Sequence, residues 1–267
     1  MKQTETVQAS RPSSRRRFFH PFDLGLLDGM RQRAEQDPLW KVMDWAAAEC
    51  GLRVEVSRGS LCPEGPQVIV GNDPSPVVGF VLHSVLRRDD VYFVGAPGWM
   101  LAGRCVAARC FPAYTPGRWF SNPLEAFRMQ VVYRFLYGVK PSSLALRNAE
   151  SLTRAAGVVT TGGSLLILPA AGSIGRSDHW KHGVGYVLDR VTNPQTRLVF
   201  ARVHGTRQSD VARMLNPRWF GRWRKPLTVP VEFSDPFPLS GFQRPELTPK
   251  QISLRVKEQY LKLYGAL

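Results

Sequence analysis

Two rhythms alternate along the chain: short runs of β-branched and aliphatic residues, and longer stretches in which apolar positions recur every three or four residues. The short runs predict strands at residues 53–57, 67–70, 90–94, 164–168, 197–203 and 227–233. The first of these alternates apolar with polar, whereas 67–70, 90–94 and 164–168 are continuously apolar after a polar first residue, as in a sheet covered on both faces. The longer rhythm predicts helices at 23–33, 37–50, 77–86, 121–137, 143–156, 181–191 and 248–264. Asp37-Pro38 and Thr248-Pro249 supply a polar cap followed by proline, which tolerates the first helical turn because no amide partner is needed there. The 121–137 helix is amphipathic, with Leu124, Phe127, Val131 and Phe135 on one face and Arg128 and Arg134 off it.

Strand, helix, strand succession implies parallel pairing through right-handed crossovers. The expected fold is therefore α/β, a mostly parallel sheet flanked by helices, preceded by an N-terminal helical hairpin. The expected organisation is a basic flexible tail at 1–20, the hairpin at 21–51 and the α/β domain at 52–267.

Within that frame the stretch 65–82 stands out, because an apolar strand runs into a polar loop and then a helix, the commonest site position in α/β folds. Asn72 and Asp73 lie in the loop, and Ser75 followed by Pro76 reads as the helix cap. A second loop, 169–177, follows the 164–168 strand and is rich in glycine and small residues, a composition that can cradle an anion.

Composition narrows the classes. With 267 residues, 43% of them hydrophobic, the chain can bury a large single core, and no run reaches the roughly eighteen apolar residues of a membrane span. Cys50, Cys62, Cys105 and Cys110 show no metal-type spacing, and no signal peptide is recognisable, so reduced thiols, a cytoplasmic location and no bound metal are expected. The 36 basic and 21 acidic residues leave a net charge of +15, which favours anionic partners. The tail carries Arg11 and Arg15 to Arg17, and the 216–226 segment interleaves Trp219, Arg222 and Trp223. That pattern suits contact with an anionic membrane surface, on the inner face for a cytoplasmic protein, or a partly buried loop with solvated arginines. Nucleic acid is not expected, since no recognition-helix or zinc-finger pattern accompanies the charge.

The order of elements resembles the lysophospholipid (PlsC-type) acyltransferases over residues 50–265. The likeness is carried by the strand at 53–57, the Pro63-Glu64-Gly65-Pro66 turn, the strand at 67–70, and Asn72-Asp73-Pro74-Ser75 where the family has Asn-His-any-Ser. It continues through the 144–152 helix, the 163–169 strand, the His182-Gly183 helix start and Val203-His204-Gly205-Thr206. The resemblance implies acyl transfer from acyl-CoA or acyl carrier protein as co-substrate, with no bound cofactor. It places Asn72, Ser75, Lys140, Arg147, Gly172, Ser173 and Arg176 around an acceptor or its phosphate.

The family's chemistry uses a His followed five positions later by an Asp, in which the histidine takes the acceptor's proton and the aspartate orients the imidazole. Those positions here are Asp73 and Val78, so the dyad is lost. The glutamate of the third motif is Ala170, the arginine of the second falls on Leu144, and the proline of the fourth is Phe200. Two readings follow. One is an acyltransferase for an unusual hydroxyl or amine acceptor with Asp73 as base, His179 in reserve and His204 behind it. The other is a silent acyl-chain or lipid binder, or a partner protein, on the same fold. His83, ten residues beyond Asp73, is expected on the order of 10 Å from the loop at a rise of about 1.5 Å per residue, as a surface or packed residue.

Overall fold

The computed structural model describes residues 24–59, 64–115, 123–169, 180–214 and 225–265. All six expected strands form: β1 (Leu52–Arg58), β2 (Gln67–Gly71), β3 (Val91–Gly95), β5 (Ser164–Ile167), β6 (Arg197–Val203) and β7 (Leu227–Phe233). Two short strands without a sequence signal join them, β4 (Cys110–Pro112) and β8 (Phe237–Pro238). The helices described are α1 (Leu24–Arg33), α2 (Leu39–Glu49), α3 (Val78–Leu86), α4 (Arg104–Arg109), α5 (Pro123–Leu136), α6 (Leu144–Thr160), α7 (Gly183–Leu188) and α8 (Pro249–Tyr264).

The strands form one sheet in the order β1-β7-β6-β2-β5-β3-β4, with β8 also on β6. From β6 to β4 the pairings are parallel. The direction reverses once, between β6 and β7, and β1 then runs parallel to β7. The chain is thus α/β with a mostly parallel sheet flanked by helices.

Alternation along β2 explains how both faces are filled. Ile69 joins a core with Leu39, Met43, Phe80 and Val231 beneath α1, α2 and α3, while Val68 and Val70 join the opposite core with Leu165, Phe200, Val184 and Tyr260 beneath α6, α7 and α8. Every residue of β2 is buried, as expected of a strand covered on both sides. Ala46 and Ala47 let α2 lie close on α3. Gly185 does the same for α7 and α8, because a Cβ there would come within 1.8 Å of the Pro249 carbonyl oxygen. α8 opens with the expected cap: Thr248 accepts from the Gln251 amide, and the Gln251 side chain answers at the Thr248 amide.

Two local expectations are corrected. Ser75 is not the cap of α3; its hydroxyl accepts from the Val77 amide at 3.2 Å within a turn, and the helix begins two residues later than Pro76. The 181–191 helix shrinks to α7, because the Lys181 amide is bound to the Pro169 carbonyl at 2.8 Å and holds residues 180–182 along the end of β5. α5 is anchored through buried Tyr133 packed on Tyr114, Val139 and Leu144. Phe127, Val131 and Phe135 of its apolar stripe face outward, whereas an amphipathic helix ordinarily turns that stripe to the core. No helix among the described residues is long and apolar enough to cross a membrane.

Candidate active site

The carboxyl ends of β2, β3 and β5 share one edge of the sheet, and a cavity of about 870 Å³ opens there, bounded by α1, α3, α6 and the start of α7. That volume lies in the roughly 300–1,000 Å³ range of ligand pockets. Its walls are mainly apolar, with Met30, Phe80, Phe93, Trp99, Leu166 and Leu168 among them. Trp99 stands edge-on to Phe80 at 5.2 Å and to Phe93 at 5.8 Å between ring centres. Gly79 makes room for it, since a Cβ at that position would lie 2.7 Å from the indole.

Asp73 opens into this cavity from the β2–α3 loop. Its neighbours fix the loop on both sides. Asn72 donates its amide to the Val203 carbonyl at 2.9 Å and accepts from the Val203 amide at 2.8 Å, tying the end of β2 to the end of β6. Asn72 is buried, and this pair of bonds gives it a structural role at the end of β2. Ser75, bonded to Val77, closes the other side, although it still lines the cavity.

Burial pushes the Asp73 carboxyl up to about 6, with the Lys181 ammonium pulling the other way. Burial lowers Lys181 in turn, and the Asp73 carboxylate partly restores it. An acid raised and a base lowered in one apolar wall are the two shifts that bring proton exchange toward neutral pH. His182, beside Lys181 in the wall, is lowered by burial and then by Lys250 and Lys257. His83 is buried and packed edge-on to Phe93 at 4.9 Å. Burial, followed by the charge of Arg109, lowers it to about 3, so its imidazole is neutral at pH 7. Among the described residues, His83 Nε2 and His182 Nδ1 are buried without a hydrogen-bond partner.

The remaining site residues read from the sequence are dispersed. Lys140 is exposed and lines neither cavity. Arg147 pairs with Glu150 at 3.4 Å and lines a second cavity of about 720 Å³. His204 is engaged with Glu232 at 2.8 Å, away from the Asp73 wall. Gly172, Ser173, Arg176 and His179, and the membrane-contact residues Trp219, Arg222 and Trp223, lie outside the described residues. Lys181 is the cavity-lining cation the sequence reading passed over, and its signal was its place four residues after the small-residue loop at 169–177. Among the described residues no group of three or more His, Cys, Asp or Glu gathers as metal ligands.

No protein-family model matches the chain, and no curated protein matches it. Among solved structures, the chain is similar to the 1-acyl-sn-glycerophosphate (LPA) acyltransferase PlsC from Thermotoga maritima, at 12% identity and a TM-score of 0.42, over 90% of this chain and 89% of that one.

Proposed function

We propose that the protein transfers an acyl group from a thioester, acyl-CoA or acyl carrier protein, to a hydroxyl or amine acceptor, with Asp73 as the general base. The observation that carries this reading is an ionisable Asp73, raised to about 6, in the wall of a large apolar cavity. The acyl chain lies along Phe80, Phe93 and Leu166, and the thioester carbonyl sits near the β2–α3 loop. The Asp73 carboxylate removes a proton as the acceptor attacks that carbonyl, and the thiolate leaves. Lys181, as ammonium, stabilises the oxyanion of the tetrahedral intermediate.

A base with its pKa near 6 suits an amine acceptor better than an alcohol, because the nitrogen becomes an ammonium as the neutral amine attacks, and the proton it then sheds is far more acidic than that of a hydroxyl. The alternative, a silent acyl-chain binder, draws on Val78, which is buried in the core where the resembled family carries its aspartate. One experiment separates the two. Acyl-CoA and acyl carrier protein donors are offered with panels of hydroxyl and amine acceptors, and products are sought by mass spectrometry. Acyl transfer predicts a product that Asp73→Ala abolishes. Saturable binding of acyl chains with no product above blank supports the binder and ends the enzymatic reading.

A further inference from the structure

α5 presents a row of large apolar side chains to solvent: Phe127 is 63% exposed, Val131 38% and Phe135 78%. Their spacing of four residues puts them on one side of the helix. The helix is held from elsewhere on its surface, by buried Tyr133, whose hydroxyl accepts from the Thr115 amide at 3.2 Å. The row continues beyond the helix. Tyr137 reaches toward Gly98, where a Cβ would lie 3.9 Å from its hydroxyl, and Met100 and Leu101 in the same turn are exposed, as is Leu146 at the start of α6. Met100 and Leu146 line the second cavity, and its Pro112, Tyr114 and Ser151 also line the Asp73 cavity.

Contiguous exposed apolar surface marks an interaction face, and its charge indicates the partner. Arg134, on α5 itself, and Lys140, just beyond its end, are exposed and have no acidic partner among the described residues. Aromatic and aliphatic side chains flanked by cations match the boundary between headgroups and acyl chains of an anionic bilayer. A second copy of the chain would bring the same cations and the same +15 against this face, which opposes self-association.

We propose that the α5 face docks on an anionic lipid bilayer, with Phe127 and Phe135 entering the interface. This docking goes beyond acyl transfer and is tested without turnover, so either reading can fail alone. The full chain is sedimented with vesicles of phosphatidylcholine, with and without phosphatidylglycerol, at low and high salt. Retention on the anionic vesicles, weakened by salt, is expected. Phe127→Ser with Phe135→Ser lowers it by about tenfold or more, while thermal unfolding followed by circular dichroism stays unchanged because both side chains are exposed. Leu254→Ser, an exposed apolar position on α8, leaves retention intact. The proposal is overturned if the double variant sediments like wild type. It is also overturned if light scattering without vesicles shows a dimer that the double variant dissociates.

Discussion

The two ends of the central parallel strands treat their aspartates in opposite ways. At the amino ends, Arg88 grips Asp90 through two hydrogen bonds at 2.8 and 2.5 Å and donates to the Gly65 carbonyl at 2.9 Å. Ser164 adds its hydroxyl to Asp90 at 3.3 Å, and the Arg197 amide meets the Pro66 carbonyl at 3.0 Å. At the carboxyl ends, Asp73, Lys181, His182 and His83 line a cavity, and His83 Nε2 and His182 Nδ1 have no partner among the described residues. The contrast is sharpest between the two aspartates. Burial works against the charge of both, yet the hydrogen bonds and charge of Arg88 hold Asp90 below the usual carboxylate range, whereas Asp73 rises to about 6 against the weaker pull of Lys181. Polar groups that satisfy one another serve the fold; polar groups left facing an apolar cavity cost stability, and a ligand is what would offset that cost.

The largest test of this contrast is Asp73→Asn, which is expected to lower acyl transfer by about 100-fold or more. The same variant gains stability. Because the folded pKa of about 6 lies above the unfolded value near 3.8, the contribution of Asp73 is most favourable below the unfolded value. It is lost as pH rises through 6. Denaturant unfolding at pH 7.5 should therefore show the variant more stable by about 2 kcal/mol, discounted for the partial exposure of Asp73, with the gain gone at pH 4. A variant less stable at pH 7.5 would mean that Asp73 is as well partnered as Asp90.

Asp90→Ala comes next, with an expected loss of about 2 kcal/mol by the same unfolding assay and unchanged transfer per folded molecule. Since its folded pKa is depressed, the Asp90 contribution is present above the unfolded value and disappears as pH falls through the folded one, so wild type and variant converge in acid. Lys181→Met should cost about tenfold in rate at pH 7 and move the Asp73 titration upward, because the pull toward the carboxylate is removed. Smallest of all is Arg147→Ala, exposed and outside the Asp73 cavity, for which steady-state kinetics should change by less than about twofold.

Much of the sheet was legible because β2 and its neighbours are covered on both faces and so must be apolar throughout, a pattern that survives in the sequence. β4 and β8 were not, since three-residue and two-residue strands are specified by their neighbours in space. Asp73 could be located from the polar loop between strand and helix. Lys181 and His83 could not be joined to it, because folding brings the end of β5 and α3 to the same cavity and no spacing along the chain records that convergence. Asn72 shows the converse: beside Asp73 in sequence, its side-chain amide both donates to and accepts from the Val203 backbone. In α5 the pattern revealed the stripe and concealed its direction, since burial of Tyr133 decides which side faces inward.

The central claim is that Asp73, raised by its apolar cavity, is the base for acyl transfer, and the pH dependence of kcat/KM tests it most directly. The account predicts a rate that climbs with pH through an inflection near 6, shifted upward in Lys181→Met and absent from the residual activity of Asp73→Asn. A profile that keeps the same inflection in Asp73→Asn would contradict it.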